Sequence, residues 1–234
     1  MSSFFIKIFA LVFMLIDHIG FMFFSNNLIF RAIGRLSFPL FAYQLAVGFS
    51  HTRNKKKHIL KLLLFAIICQ IPYTLMLNCY NVTILPNIIF TFVIALLIIY
   101  VIENISFYHF DEENNKKNFC IKNFAIVLTL CTLLLALGIF LKVDYEWYGI
   151  LLTIAFYFTL SKKWLSIILF FILVNLNYLF HQDLMALLAY ISLFDIVFIT
   201  LFNGKRGYHF SWIFYAIYFL HFFLLLLIKQ FLIA

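Results

Sequence analysis

The sequence predicts an all-α, polytopic membrane protein: about nine transmembrane helices in one bundle, N-terminus inside and C-terminus outside. Three observations carry this. Hydrophobic residues make up 66% of the 234 positions and charged residues only 11%, whereas a soluble domain is nearer half apolar and a quarter charged. Apolar stretches recur at the length a helix needs to cross a bilayer, roughly 17–25 residues. The basic residues fall in alternate connecting segments, as the positive-inside rule requires.

The spans are expected at about 4–24, 28–50, 58–78, 82–102, 123–142, 146–161, 164–181, 183–202 and 209–232. The first starts so close to the N-terminus, with no small-residue cleavage site and soluble domain behind it, that it reads as a retained helix rather than a removed signal. Arg53, Lys55, Lys56 and Lys57 follow the second span, Lys116, Lys117 and Lys122 the fourth, Lys162 and Lys163 the sixth, and Lys205 and Arg206 the eighth. The intervening segments offer only Lys142. Residues 1–234 form a single transmembrane domain, and the long polar segment 103–122 reads as a solvated cytoplasmic loop. The net charge of +8 therefore reports loops at a lipid bilayer and gives no reason to invoke nucleic acid. The four cysteines lack ligand spacing, so no metal is expected.

The informative residues are the polar ones inside the apolar spans. "MLIDHIGFMFFSNNLIFRAIGRLSFPLFAYQLAVGFSHTRN" (14–54) places Asp17, His18, Arg31 and Arg35 where hydrocarbon should be. A charge at the bilayer centre costs about 2.5–3.5 kcal/mol on insertion scales, so such residues face the bundle interior and mark substrate or proton paths. At about 1.5 Å of rise per residue, Asp17, His18, Arg35 and His221 come out at nearly one depth. Gln70, Asn87, Asn175 and Asn177 fall at similar heights. Asp17 is expected to pair with Arg35 or Arg31, which share a helix face at i,i+4. Plainer readings stand beside these: a structural ion pair, a snorkelling Arg31, a hydrogen-bonded core His221, and amides acting as interhelical glue.

Several of these stretches also resemble a known family. "MLIDHIG", "IGRLSFPLFAYQLAVGFSHTRN", "LLLFAIICQIPY", "LPNIIFTFVIALL", "VDYEWYGILL" and "FYAIYFLHFFLLLL" are similar to segments of the TraX family, which resembles in turn the large transmembrane acyltransferase group. The resemblance runs from the first span to the last, with phenylalanine where a proline is usual before the final Leu-His. It implies a bacterial inner-membrane acetyltransferase that uses acetyl-CoA and acts on an amine or hydroxyl of a membrane-embedded or extracytoplasmic acceptor, such as a pilin N-terminus. His18 matches the position at which the acyltransferase group uses a histidine.

Acyl transfer needs a base, an oxyanion partner and alignment. His18 is the expected base, with His221 as a second. Arg35 polarises the acetyl carbonyl and Asp17 holds an arginine in place. Arg31, Gln70, Asn87 and Tyr148 are expected to contact substrate. Arg53, Lys55, Lys56 and Lys57 suit the phosphates of the coenzyme. A transporter with a polar midplane site is the main alternative, and a non-catalytic membrane subunit a third.

Overall fold

The computed structural model describes residues 1–79, 85–111, 116–208 and 211–233. Eleven α-helices follow in chain order: α1 Ser3–Phe23, α2 Leu28–Gly34, α3 Ser37–Ser50, α4 Lys55–Asn78, α5 Ile88–Asn104, α6 Ile121–Phe140, α7 Glu146–Thr159, α8 Lys163–His181, α9 Leu184–Leu188, α10 Asp195–Leu201 and α11 Ser211–Ile233. A 3₁₀ segment, Ala189–Phe194, joins α9 to α10. Two short strands, β1 Tyr108–Asp111 and β2 Lys116–Phe119, pair antiparallel. The segment expected as a solvated loop at 103–122 thus carries this strand pair between α5 and α6.

Among the described residues, six helices are long and apolar enough to cross a membrane: α1, α4, α6, α8, the continuous run Leu184–Leu201, and Trp212–Leu232 within α11. The chain is a multi-pass membrane protein. Three expected spans differ from a simple rod. α5 has 17 residues and α7 only 14.

The span expected at 28–50 is two helices, broken at Arg35–Leu36. Pro39 supplies the reason. Proline fits best in the first helical turn; further in, its ring presses on the carbonyl four residues back, here that of Arg35, and kinks or breaks the helix, although α4 carries Pro72 in its interior. Here the helix restarts just before Pro39, at Ser37, whose hydroxyl donates to the carbonyl of Ala10 on α1 at 2.9 Å.

The restarted α3 is the central helix. Nine of its fourteen residues are buried, including Tyr43, Phe49 and the polar Gln44, so it has no need of the length a lipid-facing helix requires. Its rings meet those of α7 and α10: Tyr43 stands edge-on to Phe156 and Phe202. α6 lies at the periphery, with Leu128, Leu133 and Phe140 exposed, as apolar side chains facing lipid would be.

Contacts between helix ends set direction. Ser3 N donates to the carbonyl of Lys205 (2.9 Å) and Asn203 N to that of Met1 (2.9 Å). Lys55 at the start of α4 is paired with Glu103 at the end of α5 and donates to Tyr157 near the end of α7 at 2.8 Å. Lys163 at the start of α8 donates to the carbonyl of Thr200 in α10. One end of the bundle therefore gathers the starts of α1, α4 and α8 with the ends of α5, α7 and α10. Arg53, Lys55–Lys57, Lys162, Lys163, Lys205 and Arg206 all belong to it.

Candidate functional site

A cavity of about 320 Å³ runs between α1, α2, α3, α4, α5, α11 and the segment before α7. Its volume lies at the lower edge of the range for small-molecule sites. At one end it is lined by Asp17, His18, Arg31, Arg35, Asp144 and Tyr145, and at the other, the lysine-rich end of the bundle, by Lys7, Gln44 and His58.

The charged end depends on a close helix approach. A Cβ at Gly34 would fall 2.2 Å from Asp17 Oδ1, and one at Gly20 would fall 2.1 Å from the Phe30 Cβ. Only glycine lets α1 and α2 come this near, and the approach brings Arg31 Nη1 to 2.9 Å from Asp17 Oδ2. Arg35, released from the helix by the break at Leu36, turns elsewhere. Its Nη1 donates to the Tyr145 hydroxyl at 3.1 Å, and its guanidinium lies 5.4 Å from that ring's centroid.

Tyr145 and Asp144 are delivered by a strained turn. Lys142, Tyr145 and Glu146 have φ of 51°, 60° and 40°, the left-handed region that costs a non-glycine residue about 1 kcal/mol or more. Thr91 on α5 holds the turn by donating to the Asp144 carbonyl at 2.6 Å, and Tyr145 stacks on Phe38 with centroids 4.1 Å apart.

His18 and His221 form a directed pair. His18 Nδ1 is 2.8 Å from His221 Nε2, and His221 Nδ1 is 3.1 Å from the carbonyl oxygen of Ile217. A carbonyl only accepts, so His221 Nδ1 carries hydrogen and donates to it. In the neutral ring Nε2 is then the acceptor, which requires His18 Nδ1 to donate. His18 Nε2 is left with a lone pair, on a ring that lines the cavity, and with no partner among the described residues.

Four residues of the cavity lining also carry a buried side-chain atom with no hydrogen-bond partner among the described residues: Asp17 Oδ1, Arg35 Nε, Gln44 Nε2 and His58 Nε2. A buried unsatisfied polar atom costs about 1–3 kcal/mol. Among the described residues no three His, Cys, Asp or Glu side chains gather as a metal ion would need.

The family model for the TraX protein matches residues 2–229. The chain belongs to the TraX family. It is also 36% identical over 80 residues to the probable fimbrial assembly protein FimC, serogroup H1, of Dichelobacter nodosus. That match spans about a third of each protein, 32% of this chain and 33% of the relative. No solved structure matches it.

Within this TraX-family chain the residues singled out from the sequence separate into two groups. Asp17, His18, Arg31 and Arg35 meet at the cavity, and His221 joins them through His18. Gln70 and Asn87 do not reach it. Asn87 Nδ2 donates to the Ala66 carbonyl and to Gln70 Oε1, both at 2.9 Å, while its Oδ1 caps α5 through Ile89 N at 3.0 Å. Gln70 Nε2 donates to the Leu85 carbonyl at 2.9 Å. The capacity of both amides is taken up by the protein, which fits interhelical glue and not substrate contact. Asn175 likewise accepts from Tyr190 at 3.0 Å.

Tyr148 is buried in the core beside Phe38 and Tyr145 and does not line the cavity. Its neighbours Asp144 and Tyr145 do, and the sequence reading passed over both. The signal was within reach, because all three stand in "VDYEWYGILL". Arg53, Lys55 and Lys56 line a separate surface concavity with Tyr100 and Glu103, and Lys55 is already held by Glu103 and Tyr157. None of Arg53, Lys55, Lys56 and Lys57 borders the main cavity. Asp195, fully buried in α10 with neither carboxyl oxygen bonded, was also passed over. It sits away from the cavity lining.

Proposed function

We propose that this protein is an acetyltransferase of the bacterial inner membrane, moving an acetyl group from acetyl-CoA to an amine or hydroxyl of a membrane-embedded or extracytoplasmic acceptor. The observation that carries the proposal is His18: a fixed ring with a bare Nε2, beside a cavity that Arg35 also lines. Base and oxyanion donor are the two groups that acyl transfer asks of a protein.

In this reading the acceptor amine attacks the thioester carbonyl carbon and gives its proton to His18 Nε2. The negative charge that develops on the carbonyl oxygen is stabilised by the Arg35 guanidinium. Collapse breaks the carbon–sulfur bond, and the leaving thiolate takes the proton back from His18. The products are the acetylated acceptor and the free thiol, with no net proton left on the enzyme. No serine or cysteine is needed as a carrier. Asp17 compensates the charge of Arg31 beside the site, and Tyr145 orients Arg35.

Membership of the TraX family and the likeness to a fimbrial assembly protein support a pilin-like acceptor, with its N-terminal amine as the group modified. The lysine-rich end of the bundle is assigned to the cytoplasm by the positive-inside rule, so the donor enters there and the acceptor approaches from the opposite side.

The test is incubation of the purified full-length protein in nanodiscs with labelled acetyl-CoA and a peptide bearing a pilin-like N-terminus. Thiol release coupled one-to-one to peptide acetylation is expected. Absence of both, with solute uptake by proteoliposomes instead, would replace this reading with transport.

A further inference from the structure

We infer that the end of the cavity at Lys7 seats the anionic head of a ligand with a long uncharged arm. Resting on the acetyl-transfer reading above, this ligand is the acetyl donor, with a phosphate at Lys7 and the thioester at His18.

Two observations converge: the position of Lys7 and its distance from His18. Lys7 lines the cavity, and its Nζ lies 6.0 Å from the Phe214 ring centroid; neither of the ion pairs found among the described residues involves it. Gln44, bonded through Oε1 to the Ser3 hydroxyl, stands beyond Lys7 from His18, so Lys7 is the charged group that faces the path to His18.

Length supplies the decisive match. Lys7 and His18 lie on one helix, eleven residues apart in the sequence, which is about 16 Å of rise. In a phosphopantetheine arm roughly thirteen covalent bonds separate phosphorus from sulfur, and an extended chain advances about 1.2 Å per bond, giving about 16 Å. A phosphate held at Lys7 therefore brings the sulfur to the level of His18. The walls between, Met14, Leu45, Leu62 and Phe65, suit the arm's methylenes. The surface cluster of Arg53, Lys55 and Lys56 lines a different concavity.

Gly48 gives an independent handle. It lines the cavity and is exposed there, and a Cβ would meet nothing within 4 Å, so a side chain can begin at this position without displacing protein atoms.

The experiment measures equilibrium binding of acetyl-CoA to the full chain in nanodiscs of phosphatidylcholine, beside S-acetyl-N-acetylcysteamine, which keeps the thioester and lacks the phosphates. Lys7→Gln should weaken acetyl-CoA binding about tenfold or more, as loss of a charged hydrogen bond does, and leave the short thioester within about twofold. Lys7→Arg should restore most of the affinity. Gly48→Trp should weaken acetyl-CoA strongly while the protein keeps its thermal stability, and Arg53→Gln should change little.

Wild-type affinity in Lys7→Gln and Gly48→Trp would overturn the site, as would equal weakening of both thioesters by Lys7→Gln. Displacement of acetyl-CoA by phosphatidylglycerol in the disc would give Lys7 to a lipid headgroup and overturn it also. The two readings fail differently. Lys7-dependent binding of acetyl-CoA without transfer to any acceptor would keep the site and remove the reaction. Transfer with Lys7-independent binding would keep the reaction and remove the site.

Discussion

Gly34 leaves the space that Asp17 occupies: a Cβ on Gly34 would stand 2.2 Å from Asp17 Oδ1 and 2.4 Å from its Cγ. The carboxylate that pairs with Arg31 is thus placed by the absence of a side chain one helix away. Gly34→Ala should force α1 and α2 apart or turn Asp17 out of its rotamer. Overpacking of this kind costs about 1–3 kcal/mol. A lower midpoint of thermal unfolding in detergent is expected, with loss of acetyl transfer beyond what the stability change explains. Unchanged stability would mean the helices part without cost.

The Asp17–Arg31 pair sets up a double-mutant cycle. Removing one partner of a dry buried pair costs about 3–5 kcal/mol. Here the side chains keep 17% and 22% exposure, so the expected loss for Asp17→Asn lies below that range. Arg31→Gln added to it should recover part of the stability. Arg35→Gln added to Asp17→Asn should be closer to additive, because Arg35 is held by Tyr145. Strong coupling to Arg35 in place of Arg31 would contradict the pairing.

His18→Gln keeps hydrogen-bonding capacity and removes the base, so transfer should drop by about 10²- to 10⁴-fold with acetyl-CoA binding retained. His221 acts through His18. His221→Leu deprives His18 Nδ1–H of its acceptor, frees the ring to change tautomer, and should lower the turnover rate about tenfold at unchanged donor affinity. His221→Gln restores an acceptor and should recover most of that rate. Equal loss in the Leu and Gln variants would reduce His221 to a packing residue.

The orientation rests on the distribution of lysine and arginine. With the native cysteines replaced, single cysteines at 26 and 182 should react with an impermeant reagent added outside the cell, and those at 54 and 162 should not. The opposite pattern would invert the bundle and place Lys7 on the acceptor side.

The membrane class and the polar residues of the site were legible in the chain because both are written in one dimension. Apolar run length gives the spans, and the cost of a charge in hydrocarbon singles out Asp17, His18, Arg31 and Arg35. The same reasoning overreached at Gln70 and Asn87. Depth along a helix can be counted from the sequence, but the direction a side chain faces turns by 100° per residue and depends on the neighbouring helices. Those two amides share the site's depth and face each other.

Sequence by itself determined that this chain lives in a bilayer, that its basic residues gather at one end, and that a small set of ionisable groups must be sheltered inside. Those outcomes follow from transfer free energies, which are properties of residues. The tertiary structure alone decided that Pro39 splits a span and frees Arg35, that Arg31 and not Arg35 takes Asp17, and that a strained turn brings in Asp144 and Tyr145. It alone put Lys7 and His18 at the two ends of one cavity. Partner choice is a property of packing: it is fixed by which helices approach, at what rotation, and where a glycine lets them come close.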